Sequence, residues 1–269
     1  MDEAERWLFK ALAIEVAQGE EHGAAGTYHQ LGRIAEERRD FAGAERWYLK
    51  SLAINEKQGN EHDMASTYHQ LGILAQEKRD LDGAERWYLK ALTISEKHGD
   101  EQHEAITYHQ LGRIAQERLD WAGAERWYLK ALAIFEKLGN EHDVASTYHN
   151  LGAVAQAKLD SAGAESWYLK ALAVSEKQGS EHDTAGANCQ LGRIAEKRGD
   201  QGRACELFLE AFRVFAKNND KPSAGVALGS FARLLRRAPA ATRDNLRAMG
   251  LKALGKELME QLEKSASEG

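Results

Sequence analysis

Proline is almost absent from these 269 residues: two occur, and the first is Pro222. Nothing before it breaks a helix at the backbone, so long uninterrupted helices are allowed there. Cysteine is as scarce. Cys189 and Cys205 are too few for a disulfide framework and lack metal-ligand spacing, so reduced thiols are expected. No apolar run approaches the roughly 20 residues of a membrane-spanning helix. The opening MDEAERWLFKAL is acidic where a secretory leader would be basic. These absences give the expectation of a soluble, cytoplasmic chain with no membrane partner. GxxxxGK[ST], GxGxxG after a strand, HExxH and GxSxG are all missing, which argues against an enzyme and calls for no cofactor.

Charge is unevenly spread. The net charge is -6, but residues up to Asp200 hold 24 basic against 34 acidic side chains, a balance of -10, and those from Gln201 onward hold 12 against 8, a balance of +4. A surplus of that size over helices is no clustered basic face, so no nucleic-acid partner is expected.

What is present is a repeat. AERWYLKSL at Ala44 to Leu52 returns as AERWYLKAL from Ala84 and Ala124 and as AESWYLKAL from Ala164, each copy 40 residues after the last. Trp7, Trp47, Trp87, Trp127 and Trp167 keep the register, as do Gly32, Gly72, Gly112, Gly152 and Gly192. A fixed period in this range marks a solenoid, whose units bury their apolar faces against their neighbours.

Within one unit, Glu61 to Asp100, the preceding Gly59-Asn60 reads as a helix stop followed by a helix cap. Ala65, Tyr68, Leu71, Gly72 and Ala75 fall at three- and four-residue steps, one face of a helix from about Glu61 to Lys78. Asp80 then caps a second helix, with Ala84, Trp87, Tyr88, Ala91, Leu92 and Ile94 as its apolar face and an end near Lys97. Gly72 and Ala84 let the two helices approach closely, and the rings of Trp87 and Tyr88 are expected to fill the space beside the next hairpin. The pattern predicts an all-α solenoid of antiparallel helical hairpins.

On Tyr68, Leu71-Gly72, Ala84, Tyr88 and Ala91, and on the same offsets from Tyr28, Tyr108 and Tyr148, the unit resembles the tetratricopeptide repeat, over about residues 2 to 236. It departs from the family's 34-residue form, which ends in proline, because Glu96-Lys97 continue the second helix. In this it is similar to the long-repeat arrays of kinesin light chain and of bacterial signalling proteins. The resemblance implies that the hairpins wind into a right-handed superhelical solenoid, and that it is a non-catalytic module binding a protein or peptide segment in a concave groove lined by the first helices, as the recognition or scaffold part of a larger signalling protein.

Carried onto this chain, the family's groove offsets give His29, His69, His109 and His149, with Cys189 in the fifth copy. They also give Arg33, Arg113 and Arg193, with Ile73 and Ala153 between them, and Glu37, Glu77, Glu117 and Lys197. Those positions differ between copies while the packing positions barely change. Their charge rises along the chain, so a ligand whose acidic part lies toward Arg193 and Lys197 would complement it. The family's clamp for chaperone C-termini uses Lys and Asn, which are not at these offsets, and this argues against a heat-shock co-chaperone. The histidines sit on successive hairpins, roughly a helix diameter of 10 Å apart, whereas zinc needs ligands at about 2 Å, so no metal site is expected and the ladder is read as solvated. A second set, His22, His62, His142 and His182, lies at helix starts and is read as exposed.

The ends differ from the middle. Residues 1–19 read as a half-repeat helix without its first partner, leaving Trp7, Leu8 and Leu12 uncovered; a fragment of a larger protein, or self-association of two copies through this face, is expected. Residues 20–219 are five hairpins, 220–238 a degenerate repeat helix, and 239–269 a capping helix and tail. One helix is expected from about Thr242 to Lys264, capping the last hairpin or pairing with a partner's helix.

Overall fold

A computed structural model describes residues 3–267. Its described residues form fourteen helices and no strand. They divide into two compact units, Met1–Ile134 and Phe135–Gly269. The first contains α1 (Glu3–Gln18), α2 (Glu21–Glu37), α3 (Phe41–Gln58), α4 (Glu61–Glu77), α5 (Leu81–His98), α6 (Glu101–Glu117) and most of α7 (Trp121–Leu138). The second contains α8 (Glu141–Ala157), α9 (Ser161–Gln178), α10 (Glu181–Arg198), α11 (Gln201–Lys217), α12 (Lys221–Arg237), α13 (Ala240–Leu254) and α14 (Lys256–Ser267). Even-numbered helices up to α12 are the first, or A, helices of their hairpins, and the odd-numbered ones from α3 to α11 are the second, or B, helices.

The turns follow from their residues. Gly59, Gly99 and Gly179 end B helices at φ 65–68°, the left-handed geometry that glycine adopts without a Cβ penalty. Asn60 and Asp100 then accept the backbone N–H three residues on, as N-caps. At the other end of the hairpin Asp80 accepts from Gly83 N, and Gly83 is needed there: a Cβ would lie 2.1 Å from the Asp80 carboxylate. Ser180 caps no backbone N–H and donates instead to Asp183 Oδ2 at 2.7 Å.

The A-to-B turn contains a feature that the sequence does not announce. Arg39, Arg79, Leu119 and Leu159 all have φ near +60°, which costs a residue with a Cβ about 1–2 kcal/mol. The fifth hairpin has Gly199 at the matching position. Leu159 is also 84% exposed, so it contributes no packing in return. We expect Leu159→Asn to raise stability by about 0.5–1 kcal/mol, since asparagine tolerates this region without glycine's entropy cost. Thermal melts followed by circular dichroism check this, and an unchanged or lower Tm would contradict it.

The core of each hairpin is a tyrosine on a glycine. Tyr48, Tyr88, Tyr128 and Tyr168 are fully buried, and a Cβ on Gly32, Gly72, Gly112 or Gly152 would stand within 2.5–2.7 Å of the respective ring. The expected position of Tyr88, beside the next hairpin, is therefore corrected: it fills the gap between the two helices of its own hairpin. Trp87 is corrected in the same way. It is half-buried and stacks on Tyr68 of its own hairpin at 5.6 Å, with Lys90 Nζ 4.7 Å above the indole. The Tyr–Trp–Lys stack recurs at Tyr28–Trp47–Lys50, Tyr108–Trp127–Lys130 and Tyr148–Trp167–Lys170.

Neighbouring hairpins are tied by Tyr68, whose hydroxyl donates to Glu56 on the preceding B helix, and by Tyr108 donating to Glu96. Exposed ion pairs run alongside, such as Lys78–Glu45 and Arg118–Glu85 between hairpins and Lys97–Glu61 within one. Each contributes about 0–1 kcal/mol.

At the C-terminal end, the single helix expected from Thr242 to Lys264 is broken. Gly255, at φ 80° and ψ 170°, separates α13 from α14 and turns the second back on the first. Leu246 and Met259 become buried against Phe231, and the helices close over Gly250, where a Cβ would lie 2.7 Å from both Met259 and Phe231. The apolar face read as a cap or a partner helix is used as a cap.

Candidate binding surface

A helices present the variable positions in both units. In the first, Arg33 and Arg113 are exposed, as are Glu37, Glu77 and Glu117. Arg33, Glu36, Glu37, Arg39, Ile73 and Glu77 line an open cleft of about 360 Å³. Further along, Gln76 donates to Glu117 at 2.5 Å and Arg113 to Gln110 at 3.1 Å. The offset before each glutamate does structural work: Glu36, Gln76 and Gln116 accept the hydroxyls of Tyr48, Tyr88 and Tyr128. The Tyr168 hydroxyl, buried in the same place, has no partner.

The histidine ladder differs from its solvated reading. His29, His69, His109 and His149 are half-buried, and their rings lie 5.2–5.4 Å from those of Tyr48, Tyr88, Tyr128 and Tyr168. Burial lowers the pKa of His29, with a further push from Arg33, and that of His149. It takes His69 down to about 4, with His103 adding to the effect. His29 Nε2 and His69 Nδ1 are buried without a partner. Packing against tyrosine thus disfavours the charged form of His29, His69 and His149. Among the described residues no group of three or more His, Cys, Asp or Glu is placed to hold a metal ion, and no helix is long and apolar enough to cross a membrane.

The second unit contains the more enclosed surface. There α8, α10 and α12 border a cleft of about 480 Å³. His149, Asn150 and Gln190 offer polar atoms at its wall, and Phe215, Pro222 and Val226 offer apolar surface. Two features keep it open. Gly186 sits where a Cβ would meet nothing within 4 Å, and Cys189 replaces the bulkier histidine of the other copies at the back of the cleft. His182 is fixed at the rim, 3.1 Å from Asp220 and edge-on to Phe215. Of the expected site residues, the structure brings His149 to this cleft and places Arg193 and Lys197 on the continuation of α10. The sequence reading missed Gly186 and Val226, whose signal was a small residue and an exposed apolar one on A helices.

Two models of the tetratricopeptide repeat match the sequence, one over residues 63–137, 105–177 and 143–217 and the other over 24–57. The chain belongs to the tetratricopeptide repeat family. Among solved structures, this tetratricopeptide repeat protein is similar to BtubC from P. vanneervenii, with 25% identity and a TM-score of 0.71 over 80% of this chain and 89% of that one. It is similar also to the apo form of RapI, with 15% identity and a TM-score of 0.69 over 90% and 81% of the two chains. A third is a signal transduction ATPase with a tetratricopeptide repeat sensor from Pyrococcus horikoshii, with 20% identity and a TM-score of 0.73; 91% of this chain covers 39% of that one. No curated protein matches the sequence. The family supports a protein-binding repeat module, and these neighbours share its fold.

Proposed function

We propose that this chain is a non-catalytic recognition module that holds a peptide segment of a partner protein on its A helices, as part of a larger cytoplasmic signalling assembly. The observation that carries the reading is the α8–α10–α12 cleft. It combines apolar surface with convergent polar groups, the composition that a ligand site needs, and it lies on the helices whose outward residues vary while their packing residues repeat. A Rap protein solved with competence and sporulation factor has a similar fold, as does the ATPase with its repeat sensor, and both are consistent with a sensing role. In this reading Arg33, Glu37, Glu77, Arg113 and Glu117 form the matching surface of the first unit, and the histidines hold its floor.

The test is selection of displayed random twelve-residue peptides on the full chain, followed by anisotropy titration of those enriched. Gly186→Trp places an indole in the cleft and is expected to weaken them by at least about tenfold, the loss of roughly 1.4 kcal/mol. Equal affinity for the variant would place binding elsewhere and overturn this assignment.

One observation favours a second reading, self-association through α1. Trp7 and Ile14, two turns apart on one side of α1, are 62% and 56% exposed, apolar surface that monomers rarely leave open; Leu8 and Leu12 on the same helix are half-buried. Light scattering over a hundredfold range of concentration is expected to show a dimer that Trp7→Glu with Leu8→Lys dissociates. A monomer throughout would remove this reading.

A further inference from the structure

The face shared by α10 and α12 continues past the apolar cleft. Arg193 follows Gln190 by one turn of α10 and Lys197 follows by another, while α12 supplies Arg233 and Arg237. With Gln156 of α8 these side chains line a second open cleft of about 610 Å³. Its charge is one-sided. Four cations face one carboxylate, Glu196, which is already engaged by Arg233 at 3.2 Å. Arg193, Lys197 and Arg237 have no ion pair among the described residues. The first unit offers no such field, since Glu36, Glu37 and Glu77 outnumber Arg33 and Arg39 in its cleft.

Resting on the peptide-binding reading above, we propose that this basic cleft receives the acidic part of the same bound segment, its Asp or Glu carboxylates held by Arg193, Lys197, Arg233 and Arg237 while an apolar side chain fills the cleft at Gly186. Arginine suits the task, because its planar fork pairs with both oxygens of a carboxylate. The two clefts also fix a spacing. Val226 borders the first and Arg233 the second, seven residues apart on α12, or about 10 Å along a helix. An extended peptide covers that distance in about three residues. The preferred ligand is thus an apolar residue with acidic residues about three positions away, and its binding weakens with salt as the cations are screened.

The experiment is to sequence the peptides selected on the full chain and to titrate them against the triple variant Arg193→Ser, Lys197→Ser, Arg237→Ser, which spares the Arg233–Glu196 pair. Asp and Glu are expected to be enriched two to four positions from an apolar residue, and the triple variant to lose at least about tenfold in affinity. Thermal melts establish that the variant is folded; should it not be, the exposed Lys197→Glu alone carries the same test with a smaller loss. Peptides selected without acid enrichment, or bound equally by the variants, overturn this inference and leave the peptide-binding reading standing. Failure to enrich any peptide overturns both. Displacement of the acidic peptides by a single-stranded oligonucleotide at lower concentration than by the free peptides themselves would assign the cleft to nucleic-acid phosphate, and overturn it as well.

Discussion

Tyr88→Ala is expected to lower the unfolding free energy by about 3–5 kcal/mol, the range for deleting a fully buried ring. The size of the effect follows from the geometry opposite. Gly72 has no side chain, and the ring occupies the space in which its Cβ would have stood, 2.5 Å away. With Tyr88 removed, no neighbouring side chain on that helix can move in, so the cavity stays open between α4 and α5. Tyr88→Phe is expected to cost under about 1 kcal/mol, because the hydroxyl's bond to Gln76 is long, at 3.4 Å. Gly72→Ala provides the complementary test. Helix propensity alone would make it favourable by about 0.5–1 kcal/mol, but the contact with the ring makes it destabilising. Urea denaturation followed by circular dichroism measures all three. Because each hairpin contacts only its neighbours, the alanine variant is also expected to broaden the transition or split it in two. A sharp transition at the native midpoint would show that the ring is not the packing unit it appears from its burial.

The same hairpin shows how far the residues speak for themselves. Period and caps were enough to place α4 and α5: the reading of Glu61 to about Lys78 meets a helix ending at Glu77, and Asp80 caps where a carboxylate before an apolar face should. Periodicity identifies the buried face of a helix, but not which element lies against it. That is why Tyr88 was assigned to the next hairpin, although Gly72, sixteen residues earlier, is the surface it packs on. Local backbone geometry was hidden for a different reason. Leu119 and Leu159 occupy a left-handed turn that their side chains disfavour, and only the repeat frame, with Gly199 in the matching place, hints at it. Gly255 breaks the last helix although glycine is tolerated inside many helices. Half of the basic cleft was legible, since the family's offsets gave Arg193 and Lys197 on α10; the other half lies on α12, whose repeat pattern has decayed, so that Arg233 and Arg237 had no family offset to mark them. The histidines were assigned to the groove by offset, and the offset was silent about the tyrosine beneath each.

That tyrosine makes acid the other large perturbation. In the folded chain His69 titrates at about 4, lowered first by burial and then by His103; unfolded, it would titrate near 6.5. Between those values the unfolded chain holds the extra proton, so stability falls as pH drops from 6.5 toward 4, is complete above 6.5, and levels off below 4. After discounting for the part of the ring that water reaches, His69 alone should account for a loss of roughly 2–3 kcal/mol. His29 and His149 shift in the same direction and add to the slope. Neither neighbour opposes the shift: Tyr88 beneath the ring is neutral over this range, its own pKa raised mainly by burial, and His103, itself held by Asp100 at 2.7 Å, acts in the same direction as burial. His69→Phe preserves a ring on Tyr88 without a titrating nitrogen. The variant is expected to match the native chain near pH 7.5 and to exceed it at pH 4.5, with a visibly shallower slope between. Denaturant midpoints at half-unit steps of pH decide the matter, since an unchanged slope in His69→Phe would mean that the ring escapes to solvent before it takes up its proton.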